Sequence, residues 1–245
     1  MRRTIFLSIL ISFIIIFSLG LISVSSNDYH PNKKIAFIIP HPDDETIGIG
    51  GTVNELISLG YHLHFELMCD GSGMNDHVWN DFNVKGIDDL NDSEYKATVR
   101  QDAFVRVMNL INCTDYRLSG HPDGSLKNMD VYQVLEDLYN EGYRNFWTIT
   151  GDENSDHYAC ADAVEILLNK HSEIVVHYFS SYFCYANRWK HRPAVFKLNF
   201  VDNDISNFWT SKSNMLNVYF TINHRMKGLY PYGDGSYHYY KERIF

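Results

Sequence analysis

Two periods of apolar residues alternate along this chain, and the switches between them mark out its elements. Residues 35–39 (IAFII) form an unbroken β-branched and aromatic run, the pattern of a strand buried on both faces. A Pro/Asp-rich turn follows, then a helical pattern near 47–59 that stops at Gly60. Residues 62–69 (HLHFELMC) read as the next strand, and 71–91, rich in Gly, Asn and Asp, as a long loop of the kind that often carries function. Over 93–111 a helical stripe places Ala103, Val107 and Leu110 on one face, with Phe104 and Ile111 beside them. Further helices are expected over 129–140, 157–169 and roughly 203–218, and further strands over 144–150 and 174–179. Strands alternating with helices predict an α/β fold with a mainly parallel sheet. In such sheets chemistry sits beyond the carboxyl ends of the strands.

The first 25 residues follow a different pattern. Residues 4–24 are apolar with scattered Ser and no charge, matching the ~20 residues that span a bilayer as a helix. Arg2 and Arg3 precede this run and orient the rest of the chain outward, although Lys33 and Lys34 on the far side oppose that bias. Ser23 and Ser25 have the small-residue spacing of a signal-peptidase site, so residues 1–25 read as either a signal peptide or an uncleaved membrane anchor. Residues 26–34 then form a polar linker and 35–245 the globular domain, membrane-anchored or secreted, on the extracytoplasmic side.

Composition narrows the classes. An apolar fraction of 45% is ordinary for a globular protein. The net charge of −9 suits a phosphate backbone poorly, which argues against nucleic acid as a partner. Cys69, Cys113, Cys160 and Cys184 make no CxxC pair, which excludes zinc-ribbon and thioredoxin readings and leaves buried free thiols as the expectation. Gly48, Gly50 and Gly51 follow a strand but spell neither a dinucleotide fingerprint nor a P-loop, so close backbone packing is their expected role. His62, His64, His171 and His177 have no evident partners in the sequence and read as packing residues.

The chemistry-bearing residues fall at two predicted strand ends. Pro40-His41-Pro42-Asp43-Asp44-Glu45 directly follows the first strand of the domain. Its imidazole and carboxylates are the ligand types of a zinc site, and the two prolines stiffen the turn that aims them. Asp152-Glu153-Asn154-Ser155-Asp156-His157 follows the strand at 144–150. In a parallel sheet both clusters emerge at one edge, bringing His157 toward His41 and Asp44. Two His and one Asp leave a coordination position open, the mark of a catalytic metal site. Glu45 reads as a turn or cap residue, and His121-Pro122-Asp123-Gly124 as a turn that lines the pocket.

The segments IIPHPDDETIGIGGTV (38–53), RQDAFVRVMNL (100–110), GHPDGSL (120–126) and NSDH (154–157) resemble the signature of the PIG-L/LmbE-like deacetylases. The resemblance implies a Rossmann-like three-layer fold and a zinc-dependent removal of an N-acetyl group from an N-acetylglucosamine-type sugar conjugate. It assigns His41, Asp44 and His157 as metal ligands for Zn2+, with Fe2+ able to occupy the same set. It makes Asp43 the general base toward the attacking water, and Asp156 a support for a neighbouring ligand or donor. Arg100 and Asp123 become contacts for sugar hydroxyls. Where family members often carry His, this chain has Asn154, which donates a neutral hydrogen bond but cannot act as a general acid. That departure and the abundance of aromatics keep open a catalytically weak glycan-binding protein, and a related metal-dependent amidase acting on a thiol conjugate is a further alternative. The aromatic crowd at Tyr230, Tyr232, Tyr237, Tyr239 and Tyr240 reads as a tail packed on the domain or a lip against a sugar ring. The expected partners are an amino-sugar or glycoconjugate substrate and, through an uncleaved N-terminal segment, a membrane.

Overall fold

A computed structural model describes residues 33–73, 93–151, 154–179, 214–216 and 218–219. The expectations for the N-terminal segment, for most of the 71–91 loop and for the tyrosine-rich tail fall outside the described residues, as does most of the expected helix at 203–218. Among the described residues no helix is long and apolar enough to cross a membrane.

The elements run β1 (Lys34–Ile39), α1 (Asp44–Ser58), β2 (His62–Cys69), α2 (Ser93–Leu110), β3 (Tyr116–His121), α3 (Asn128–Asn140), β4 (Asn145–Ile149), α4 (Ser155–Lys170) and β5 (Val175–Phe179). The strands form one sheet in the order β3-β2-β1-β4-β5, and every pairing is parallel. Parallel neighbours require crossovers, and the intervening helices supply them. Because β-strand side chains alternate, one set of strand residues (Ile35, Phe37, Ile39, Phe65, Leu67, Trp147) packs with α1 and α2. The opposite set (Ala36, Ile38, Phe146) packs with α3 and α4. The result is a three-layer α/β/α arrangement with both sheet faces buried.

The strand order reverses between β1 and β4, so their carboxyl ends frame the crevice where such folds bind ligands. β1 delivers Pro40 and His41 to this crevice, and β4 leads into the N-terminus of α4.

Three sequence expectations are corrected. The α1 helix starts at Asp44 rather than near 47, because the prolyl turn leads straight into it. The buried stripe of α2 is Ala103, Phe104, Val107 and Met108, continued by Ile111, while Leu110 is 46% exposed. It lies three positions after Val107, off the face that the i, i+4 series keeps toward the core. Strand β3 had no counterpart in the hydrophobic pattern. It is an edge strand of sequence YRLSGH with mostly partly exposed or exposed residues, so it carries neither a buried run nor a clean alternation.

Two glycines are set by local geometry. A Cβ on Gly48 would lie 2.4 Å from Phe179 Cδ2, so only glycine lets α1 approach β5 here. Gly71 adopts a φ of 80°, and a Cβ there would press on the Arg100 side chain.

Candidate metal centre

The prolyl turn after β1 folds back on itself. The His41 amide N–H donates to Asp44 Oδ2 at 3.2 Å. Asp43 takes a φ of 120° and a ψ of −25°, a region that residues with a side chain rarely enter. The usual cap reading fails for Asp43, whose side chain makes no cap hydrogen bond to α1.

On the other rim, Asn154 caps α4. Its Oδ1 accepts the N–H of Asp156 at 2.8 Å and of His157 at 3.3 Å. That cap fixes the first turn of the helix, which carries the next two side chains of interest.

Three atoms from the two rims converge. His41 Nδ1 lies 3.3 Å from Asp44 Oδ2 and 3.1 Å from His157 Nε2, and His157 Nε2 lies 3.2 Å from Asp44 Oδ2. All three residues are buried. Bonds of about 2.1 Å to one ion place tetrahedral ligands about 3.4 Å apart and right-angled ones about 3.0 Å apart, so the observed triangle fits a divalent cation. Two imidazoles and a carboxylate are also the donor chemistry of such a site. Burial alone would raise the Asp44 pKa, yet the neighbouring His157 and His41 rings hold it well below the usual carboxylate range.

The other nitrogen of His41 is equally constrained. His41 Nε2 lies 3.1 Å from Asp156 Oδ2 and 3.3 Å from Asp123 Oδ1. With Nε2–H donating to carboxylates, Nδ1 keeps its lone pair for an ion. Asp156 is itself anchored by the Gly124 N–H at 2.6 Å and the Leu126 N–H at 3.1 Å. Burial would lower the His41 pKa, but Asp123, Asp156 and Asp44 together raise it well above that of an ordinary histidine.

Asp43 points its carboxylate at Arg100, whose Nη1 donates to Oδ2 at 3.1 Å. Its side chain is 17% exposed, which leaves it reachable from the crevice. Burial raises the Asp43 pKa against the pull of Arg100, and Asp44 adds to the rise, which favours a base able to hold a proton. Among the described residues, Arg100 Nε is buried with no hydrogen-bond partner.

The structure thus brings His41, Asp44, His157, Asp156 and Asp123 into one cluster, with Asp43 and Arg100 paired beside it. Asn154 is spent on the α4 cap through its carbonyl oxygen. Sequence reasoning overlooked two residues of this neighbourhood, Cys69 and Tyr219. Cys69, at the end of β2, forms a second close group with His41 and Asp156. Its position at a strand end next to β1 was the available signal. Burial and then the Asp156 charge raise its thiol pKa, so the metal-binding thiolate is disfavoured. Glu45, read from the sequence as a turn or cap residue, bonds within the turn: its Oε2 accepts the Asp43 N–H at 3.0 Å. Burial pushes its carboxyl up to about 7, against hydrogen bonds from Tyr219 and Thr46. Tyr219 comes from the far end of the chain and carries no local signal.

Of the four histidines read as packing residues, His177 keeps that role, its ring 4.6 Å from that of Trp147 and its Nδ1 buried without a hydrogen-bond partner among the described residues, while the other three meet acids. His64 Nδ1 lies 2.8 Å from Asp115 Oδ1 and its Nε2 3.2 Å from Glu66 Oε2, while His62 and His171 meet Asp115 and Glu136. These acids lie far away in sequence or on the same strand face, where pattern alone does not pair them. Cys69, Cys113 and Cys160 are free thiols, Cys69 and Cys160 buried and Cys113 partly so.

Known proteins share this frame. A diacetylchitobiose deacetylase of Thermococcus kodakarensis is 48% identical over 40 residues, a match spanning 16% of this chain and 15% of that protein. The N,N'-diacetylchitobiose deacetylase of Pyrococcus horikoshii, solved with an inhibitor, has a TM-score of 0.56 at 16% identity, covering 82% of this chain and 74% of that one. GalB, the 4-carboxy-2-hydroxymuconate hydratase of Pseudomonas putida KT2440, has a TM-score of 0.55 at 16% identity, covering 84% and 82%. At such identities the structural likenesses establish the fold, which hosts more than one reaction. The family model described as GlcNAc-PI de-N-acetylase matches residues 36–168, more than half of the chain, and the chain belongs to that PIG-L family.

Proposed function

We propose that this chain is a divalent-metal-dependent hydrolase that removes an N-acetyl group from an N-acetylglucosamine-type conjugate. The single observation that carries the reading is the triangle of His41 Nδ1, Asp44 Oδ2 and His157 Nε2, with sides of 3.1–3.3 Å. Zinc suits this donor set, with ferrous iron the alternative. When bound, the ion would supply Lewis-acid polarisation of the acyl carbonyl and acidify a water molecule.

The remaining work falls to the protein. Asp43 takes the proton of the attacking water, with Arg100 fixing the direction of its carboxylate. The amine leaves only if it is protonated. Asn154 cannot supply that proton, and its carbonyl oxygen is committed to the α4 cap. Asp43 therefore returns the proton it took. Asp156 holds the His41 ring in the tautomer that leaves Nδ1 free, and Asp123 assists from the same side. Arg100, whose Nη1 donates to Asp43 beside the crevice, is read as a contact for a substrate hydroxyl. Asp123 serves as the second sugar contact.

The N-terminal segment is read as a signal peptide or anchor, placing the domain outside the cytoplasm; the support is the uncharged run at 4–24 behind Arg2 and Arg3. Alkaline extraction of membranes separates the two forms.

Acetate release from N-acetylglucosamine conjugates, with and without chelator, tests the activity. Release should stop with chelator and in Asp43→Ala. Tight binding of the acetylated sugar with no turnover in metal-loaded protein would favour a glycan-binding role instead. Hydration of an unsaturated acid, the reaction type named for GalB, would favour a different use of the same fold.

A further inference from the structure

The strained turn at Asp43 is held from two directions, and both lead to one residue. Asp43 has a φ of 120°, which an L-residue keeps only where its surroundings enforce it. Its N–H is accepted by Glu45 Oε2 at 3.0 Å. Glu45 is fully buried, and its other oxygen accepts Thr46 Oγ1 at 2.8 Å and the Tyr219 hydroxyl at 2.7 Å. On the side-chain side, Arg100 donates to Asp43 Oδ2, and its guanidinium lies 5.8 Å from the centre of the Tyr219 ring. Tyr219 is buried, and it packs with Met215 and Leu216 into the core that α1 and α2 form on the sheet.

We propose that Tyr219 is a positioning residue for Asp43. Its hydroxyl orients Glu45, which holds the Asp43 backbone in the strained turn. Its ring braces Arg100, which aims the Asp43 carboxylate. A residue 174 positions from Glu45 thereby completes the active site, so the chain beyond the family-matched residues 36–168 belongs to the catalytic apparatus. The inference rests on the reading of Asp43 as general base. A purely structural tyrosine would need only its ring in the core, with no acceptor aligned to a strained backbone N–H.

The test uses the full chain loaded with zinc, acetate release from N,N'-diacetylchitobiose, and bound metal measured on each sample. Tyr219→Phe keeps the ring and removes the hydroxyl, while Tyr219→Leu removes both. Tyr219→Phe should lower kcat per bound metal by about tenfold with KM within about twofold of the parent, because the base is misaimed while substrate contacts persist. Tyr219→Leu should lose more. Added to Asp43→Asn, Tyr219→Phe should change the residual rate by less than about twofold, since it acts through the missing base. A parental kcat in Tyr219→Phe, or the same loss in both backgrounds, overturns the proposal. A crystal structure of Tyr219→Phe reads the geometry without any turnover. Asp43 leaving the positive-φ region or parting from Arg100 supports the proposal, and both features retained overturns it. Inactive parent protein with an altered Asp43 turn in the variant would instead refute the activity and leave the positioning role standing.

Discussion

Replacing Asp156 by Asn tests how the protein prepares His41 for an ion. Asp156 is fully buried and accepts three N–H donors: His41 Nε2 at 3.1 Å, Gly124 at 2.6 Å and Leu126 at 3.1 Å. An amide has one acceptor oxygen and one NH2 group. If its oxygen faces His41 and Gly124, its NH2 meets the Leu126 N–H; if it turns over, two donors lose their acceptor. The carboxylate charge is lost either way. A hydrogen bond to a charged group contributes about 1.5–3 kcal/mol. At about 1.4 kcal/mol per decade, that is a ~10–100-fold weakening of metal affinity, the range seen when supports of metal-bound histidines are removed. Metal-free protein titrated with zinc against a fluorescent chelator measures the change, with circular dichroism of the same samples to establish that the fold is intact. A folded Asp156→Asn variant that binds zinc within about twofold of the parent would refute the argument.

The other predictions concern separate parts of the fold. Asn154→Ala should cost about 1 kcal/mol of stability and also weaken zinc binding, because one oxygen caps both Asp156 and His157; Asn154→Ser should recover much of both, read by thermal melts and the same chelator titration. Gly48→Ala should lower stability by about 1–3 kcal/mol in urea unfolding, since its Cβ would lie 2.4 Å from Phe179 Cδ2; a parental midpoint would show that the β5 side yields freely. His64 gives the pH dependence. Burial would lower its pKa, but Glu66 and Asp115 raise it above 6.5, so the folded state keeps a proton that the unfolded chain releases. Its contribution is fully present below pH 6.5 and is lost as pH rises through the raised folded value. Urea midpoints of the parent should fall over that interval, and His64→Gln should flatten the fall; equal slopes would contradict it. Asp115 acts in the opposite sense, its lowered pKa giving stability that is present above 3.8 and lost in acid.

Much of the fold was legible because its strands are buried on both faces. The IAFII run and the strand at 144–150 needed no partner to be recognised, and their carboxyl ends located the two clusters of candidate metal ligands. The edge position of β3 removed the same signal from YRLSGH. The site was legible where chemistry was concentrated in short motifs, as at His41, Asp44 and His157. It was not legible where a contact depends on the topology. Asp123 reads as part of a pocket-lining turn, but its approach to His41 shows only once β3 carries it there, and nothing near Tyr219 announces a partner in Glu45. His64 looks like strand packing until Asp115, in the connection before β3, closes on it. Pattern reports periodicity within an element, while these contacts are made between elements.

The most direct test is a titration of metal-free full chain with zinc, following acetate release from N,N'-diacetylchitobiose at each addition. The account predicts no release at the start, a rise that reaches its plateau at one zinc per chain, and no rise at any zinc level in His157→Ala. Release that is complete before zinc is added, or that climbs unchanged in His157→Ala, would contradict a single ion held between the two rims of the crevice.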